Sequence, residues 1–442
     1  MVARDVFKLF ICLFLIAAYT TIARGSLLGP ATNFPVTAGA PRALACGDLN
    51  NDGKMDLVTA NFASSTVSVM MGSGSGAFTN FVSYSVGQSP VFVSLADFNH
   101  DGVLDIVTAN YNNQSLSVLL GQGNGTFSPA TNVSAGDRPN SVAVGDFNRD
   151  GNLDLAIANT TVSTVTVLLG NGNGTFVALG TNALAGGSVG SIATADFNGD
   201  GKLDLVTAQS DGAVAVLLGR GDGGFGSASL YPATFFYAAA RNLSQAVIGD
   251  FNDDGRLDLV TANYVGANST LLLGHGDGVF SAAATNGVAG GPSSIKVGDF
   301  NGDGELDFVT ANGENNVSVR RGNGDGTFAA SINFSLSTRP NFLVVADVNR
   351  DGKPDVITAN ETQGSVSVLL NDAIPTIKIR VAGSRPVLSW PDWPGYTLLS
   401  ASNLTYVTTW LPITNGFTII GTRRFLTNSA SPGRQFFKLS PP

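Results

Sequence analysis

The chain has 442 residues, long enough for two or three domains, and its 24 Lys and Arg against 33 Asp and Glu give a formal charge of −9. That acidic balance argues against nucleic acid as a partner, since a phosphate backbone is gripped by clustered basic side chains. Only two cysteines, Cys12 and Cys46, are present, so disulfides are not the framework.

The N-terminus carries Arg4 and Lys8 ahead of an apolar run from Leu9 to Ala18, and Ala23 and Gly25 offer small residues for cleavage. Residues 1–25 read as a secretory signal peptide, the run being short for a membrane span; an uncleaved anchor is the alternative. No later segment approaches 18 consecutive apolar residues. The processed chain is therefore expected to be secreted, extracellular or held at the cell surface, and not integral to a membrane. It keeps Cys46 alone, so metal rather than cystine would be its staple.

From Asp48 onward a nine-residue pattern recurs seven times, with Asp at positions 1, 5 and 9, Asn at 3 and Gly at 6. The first copies supply Asp48, Asn50, Asp52 and Asp56, then Asp97, Asn99, Asp101 and Asp105. Next come Asp146, Asn148, Asp150 and Asp154, followed by Asp196, Asn198, Asp200 and Asp204. The fifth copy has Asp250, Asn252, Asp254 and Asp258. The last two have Asp299, Asn301, Asp303 and Asp307, and Asp347, Asn349, Asp351 and Asp355. Hard oxygen donors at this spacing suit calcium, and the glycine permits the positive φ of a tight cage. Position 7 varies freely, as expected where only a backbone carbonyl is used. An EF-hand would need a carboxylate at position 12 between helices; here that position is Thr in six copies and Ile157 in the third. Plain Asp/Asn/Gly hairpin turns are the alternative, but a turn does not require three crowded carboxylates. Up to seven bound calcium ions are expected, enough to reverse the sign of the net charge.

First Asp to first Asp, the spacings are 49, 49, 50, 54, 49 and 48 residues, which points to a propeller or solenoid. Each unit holds four strand-like segments. In the third unit strand A is predicted over 141–145, B over 153–158, C over 164–169 and D from Phe176, with the metal loop joining A to B. A glycine-rich turn precedes Phe176, and its counterparts precede Phe78, Phe127, Phe225, Phe280 and Phe328; these rings are expected to anchor the outer strand between sheets. The seventh unit ends at Asp372 without that turn or ring, whereas Gly29-Pro30-Ala31-Thr32-Asn33 matches the strand D sequence Ser128-Pro129-Ala130-Thr131-Asn132. The N-terminus thus carries the strand the last unit lacks, and pairing the two closes a seven-bladed ring and removes its open edges.

The Asp-x-Asn-x-Asp-Gly-x-x-Asp loop, its Gly-Asp-Phe-Asn lead-in, the Gly-x-Gly-x-Gly-x-Phe turn and Gly39-Ala40-Pro41 resemble FG-GAP/VCBS repeats. These are the repeats of integrin α-subunit propellers and many secreted bacterial proteins. The resemblance spans about 26–372. It implies an all-β fold, a β-propeller with calcium in the A–B hairpins of one face and ligands on the opposite face. Integrins fill only some blades; seven complete loops look more like the bacterial members. The resemblance names no partner, because such repeats serve unrelated proteins.

Residues 373–442 lose the pattern and read as short Pro- and Gly-punctuated strands, a small β-sandwich-like module. Trp390, Trp393 and Trp410 are candidates for a sugar-stacking platform or for core. On the face opposite the metal loops, Asn61, Asn110, Asn159, Gln209, Asn263, Asn312 and Asn360 form a ring of amides that either order a strand end or bind a polar ligand. The connection entering the fifth unit is the longest and carries Phe235, Phe236, Tyr237 and Arg241, which suit an interface or a channel plug. The only histidines, His100 and His275, lie in a metal loop and a glycine turn, and no nucleophile elbow, zinc motif or phosphate loop occurs. The expected function is a calcium-binding adhesion or recognition module for an extracellular protein or glycan. A passive scaffold, or a calcium-dependent polysaccharide lyase, is the alternative.

Overall fold

The computed structural model describes residues 26–36, 39–79, 81–184, 187–233, 245–375, 377–382, 385–394, 396–401, 411–413, 417–420, 423–427 and 436–440. The expected signal segment, the insertion with Phe235, Phe236, Tyr237 and Arg241, and Trp410 lie outside them. Among the described residues no helix is long and apolar enough to cross a membrane.

Among the described residues the architecture is all-β, repeated four-stranded antiparallel sheets with one short 3₁₀ turn at Glu361–Gln363. The third sheet is representative: Pro139–Gly145, Asp154–Asn159, Thr164–Gly170 and Phe176–Ala183 pair in sequence order. Six sheets follow this order from Pro41 to Ser335. A further sheet joins Phe342–Ala346, Asp355–Asn360 and Ser365–Leu369 to the N-terminal strand Thr32–Pro35. The first strands of successive units neighbour one another in a circuit that returns from Phe342–Ala346 to Pro41–Gly47. They therefore surround a common axis.

Strand B is wholly buried in every sheet, as in Asp105–Asn110 and Asp355–Asn360. Buried Asp, Asn or Gln and, in six copies, Thr sit in it among apolar residues, because it is covered on both faces. Strand D is mostly exposed. The turn phenylalanines do pack between sheets. Phe176, Phe225, Phe280 and Phe328 meet Phe98, Phe147, Phe197 and Phe251 of the preceding unit edge to face at 5.5–5.7 Å. A backbone bond accompanies each pair: Gly174 N–H donates to Phe98 O at 3.0 Å, and Gly223 N–H to Phe147 O at 3.0 Å.

The N-terminal segment reproduces these contacts for the last sheet. Asn33 pairs with Ser367 and its Oδ1 accepts from Ser367 Oγ at 2.5 Å, as Asn132 accepts from Ser117 at 2.6 Å and Asn333 from Ser318 at 2.7 Å. Leu28, 1% exposed, packs with Phe300 where the other units place a phenylalanine. Asn371 substitutes for the missing glycine turn: its Nδ2 donates to Phe300 O at 2.9 Å, the carbonyl that a glycine N–H would otherwise reach.

Beyond Asp372 two small sheets form, one with Arg385–Pro391 at its centre and one around Thr397–Ala401. Leu388, Trp390 and Leu398 make their core. Trp390 is thus core, and Trp393 packs elsewhere, so the two do not share a sugar-stacking surface.

Candidate metal loops and channel mouth

The seven loops share one backbone form. Position 4 takes φ between 56° and 71° and position 6 between 78° and 88°. Asn51, His100, Arg149, Asp253 and Arg350 adopt the left-handed region at position 4, a requirement that the motif does not advertise. In the third loop the N–H of Asp150 donates to Asp146 Oδ1 at 3.1 Å and Asn148 Oδ1 at 3.0 Å. Gly151 N–H reaches Asp146 Oδ2 at 3.0 Å, and Asn152 N–H reaches Asp150 Oδ1 at 2.8 Å. The same four bonds recur in the other six loops, from Asp48 to Asp351. The oxygens at positions 1 and 3 therefore face one shared amide.

Position 9 differs from the rest. Asp154 is completely buried at the start of strand B, taking Phe147 N–H at 2.9 Å and Gly170 N–H at 2.8 Å. The first bond closes its own loop; the second ties the loop to the C–D turn. Burial raises the acid's pKa, the two amides oppose that, and Asp150 adds repulsion. Asp56, Asp105, Asp204 and Asp258 are raised in the same way. Asp307 is pushed up to about 8 and Asp355 to about 7, both by burial first.

Among the described residues, no three His, Cys, Asp or Glu side chains already stand as a metal-holding group. The oxygens are instead held on backbone amides, and in three loops a lysine at position 7 answers position 5. Lys54 lies 2.8 Å from Asp52, Lys202 3.1 Å from Asp200 and Lys353 3.6 Å from Asp351. The donor set nevertheless fits a hard cation. Each carboxylate oxygen taken by one N–H keeps a second lone pair, and the buried acid at position 9 lies within repulsive range of its neighbours.

The sixth and seventh loops are covered by the C-terminal segment. A Cβ on Gly302 would fall 2.7 Å from the Trp393 ring, and one on Gly352 2.7 Å from Pro394. Lys353 Nζ sits 5.4 Å over the Trp393 ring and 5.9 Å over that of Tyr396.

At the opposite end of the inner strands lies a cavity of about 380 Å³, lined from every unit. Arg42, Phe92, Asn140, Ser191, Gln245 and Ser293 come from the first six, and Arg339, Asn341, Phe342 and Glu361 from the seventh. Arg42 Nε is 2.9 Å from Glu361, and Asn341 Nδ2 also donates to that carboxylate. Arg339 Nη2 donates to Tyr264 Oη at 2.9 Å, while its Nε is sealed from water without an acceptor. The amide ring lies elsewhere. Asn61, Asn110, Asn159, Asn312 and Asn360 are 0% exposed and donate to strand C hydroxyls or amides, as Asn110 does to Ser117 at 2.8 Å. They order the strand end. Gln209 is the exception: its strand C carries Ala213 and Ala215 instead of hydroxyls, and both amide atoms lack partners. Arg220-Gly221-Asp222 forms an ordinary glycine turn, Asp222 Oδ1 accepting from Gly224 N–H at 2.9 Å.

A family model described as FG-GAP-like repeat matches six overlapping windows: 48–108, 97–157, 146–207, 196–261, 250–310 and 299–358. No curated protein matches the chain. Among solved structures, BBS1N in complex with ARL6DN is similar with a TM-score of 0.56 at 10% identity, over 78% of this chain and 98% of that one. A protein from Lactobacillus plantarum gives 0.53 at 15% identity, over 68% and 86%. A putative 6-phosphogluconolactonase from Bacteroides fragilis gives 0.52 at 18% identity, over 68% and 86%. At these identities the likeness is one of fold.

Proposed function

The chain belongs to the FG-GAP-like repeat family, and on that premise we propose that it is a secreted, calcium-binding, seven-bladed β-propeller serving as an adhesion or recognition module for an extracellular protein or glycan. In each loop the side chains at positions 1, 3, 5 and 9 and the carbonyl at position 7 would hold calcium. The ion would neutralise carboxylates that otherwise repel and would tie the A–B hairpin to its neighbours. The observation carrying the recognition reading is the separation of the two ends of the ring. Repeated acidic loops occupy one end, and a polar cavity to which the units contribute unequally occupies the other. Rigid scaffolds carry recognition at such variable ends. Neither histidine lines the cavity, which favours binding over catalysis.

The test is a glycan and extracellular-matrix array probed with the processed protein in calcium and in EGTA, alongside calcium stoichiometry of the purified chain. Calcium-dependent capture with several ions per chain is expected. A metal-free protein, or an array blank in calcium, overturns the reading.

A further inference from the structure

We propose that the cavity at the channel mouth binds a carboxylated sugar, a hexuronate, with Arg339 receiving the carboxylate. This rests on the recognition reading and names the ligand class for it. Charge is the first argument. The lining holds two guanidinium groups, Arg42 and Arg339, and one carboxylate, Glu361, which is already engaged by Arg42. One positive charge is left on the lining itself, the complement of an anion, and Lys296 Nζ lies behind it, 5.4 Å over the Phe342 ring. Arg339 is held in place by Tyr264 and stripped of water at Nε. A guanidinium so fixed and partly desolvated pairs with a planar carboxylate better than a solvated one does.

Size and lining give the second argument. A volume of about 380 Å³ sits near the lower end of small-ligand cavities, roughly 300–1,000 Å³, and suits a single sugar ring. The Phe92 and Phe342 rings, 6.4 Å apart and edge to face, offer apolar surface to the C–H face of a pyranose. Among the described residues, the hydroxyls of Ser191 and Thr362 line the cavity without hydrogen-bond partners, so sugar hydroxyls have donors and acceptors to meet. A fatty or aromatic acid would leave those hydroxyls unanswered, and a neutral sugar would leave Arg339 unanswered.

The test is calorimetric titration of the calcium-loaded full chain with galacturonate and glucuronate. Galactose and glucose serve as neutral controls, propionate as a bare carboxylate and galactose 6-phosphate as a dianion. A uronate is expected to bind one per chain, at least about tenfold tighter than any control, and more weakly as salt rises. Arg339→Gln should lose about tenfold or more, and Ser191→Trp, which fills the cavity, should abolish binding. Both variants are expected to keep the wild-type melt. Uronates binding no tighter than the neutral sugars overturn the proposal on the unaltered chain, whether or not the variants fold. Uronate binding that survives both folded variants overturns it as well. Array capture that persists in Arg339→Gln leaves the recognition reading standing and removes only this site.

Discussion

Replacing Asn371 by alanine tests how the last unit is sealed. Asn371 is completely buried, and its amide makes three bonds: Nδ2 to Phe300 O at 2.9 Å and to Pro354 O at 3.2 Å, and Oδ1 from Ala373 N–H at 2.9 Å. Its own N–H, bonded to Asp355 Oδ1 at 2.7 Å, survives the substitution. Alanine leaves two carbonyls and one N–H unpaired inside the protein, at about 1–3 kcal/mol for each group that finds no water. The expected loss is about 3–5 kcal/mol, a large part of the roughly 5–15 kcal/mol that holds a domain folded. Asn323→Ala is the control, since that side chain bonds Thr327 at 2.8 Å on an exposed turn; it should cost about 0.5 kcal/mol or less. The assay is guanidinium unfolding of the calcium-loaded protein, with amide exchange at Gly29, whose N–H bonds Leu370 O at 2.7 Å. An Asn371→Ala protein within about 1 kcal/mol of wild type, with Gly29 still protected, would falsify the substitution of this one amide for a whole turn.

Excess EGTA should lower the melting temperature steeply. A loop with a Kd of roughly 10 μM gains about 2.7 kcal/mol at millimolar calcium, and several such gains add; an unchanged melt refutes a structural role for metal. Without calcium, stability should fall as pH rises from about 4 to about 8. The folded pKa of Asp307, about 8, and of Asp355, about 7, lie above the ordinary 3.8, so the native state holds protons the unfolded chain has released. The sign is the reverse of a salt-bridged Asp, and calcium should flatten the slope; an EGTA melt that rises over that range contradicts the burial of these acids. Terbium in place of calcium should show tryptophan-sensitised emission, because Trp393 stands against the sixth and seventh loops. Trp393→Phe should remove most of it, and full emission in that variant would place the sensitiser elsewhere.

The repeating parts of this molecule were legible because one local chemistry recurs seven times. The loop, the glycine turn, the anchoring ring and the strand exchanged between the ends all have sequence signatures, and Asn33 against Ser367 repeats the Asn132–Ser117 contact by name. Strand edges were less legible: strand A begins at Pro139 rather than at 141, across a register shift that pattern counting does not register. The amide ring divided two ways in the sequence because an Asn at a strand end carries no sign of its burial; the hydroxyls two strand positions apart on strand C, such as Ser115 and Ser117, were the available clue. The part played by Asn371 was hidden, since nothing in an isolated Asn says that a glycine N–H is being replaced.

The channel mouth was hidden for a different reason, and that reason bears on what the ring is for. Part of its lining comes from the residue after the strand-opening proline or its equivalent, and in six of the units those residues are Arg42, Val91, Asn140, Gly190, Ser293 and Asn341. A search for repeats discards such a column as noise. Yet the inner strands bring it around one axis, so unlike residues some 49 positions apart become neighbours. The shared residues, buried Asp at position 9 and the phenylalanine pairs, fix the circuit and leave this column free to vary without loss of packing. The C-terminal segment breaks the symmetry at the other end, where Trp393 and Pro394 stand against the sixth and seventh loops and where Asp307 and Asp355 are raised to about 8 and about 7. Two loops that share a motif with the other five thus face a different dielectric, and on the proposed reading the shared motif predicts unequal affinity for the same ion.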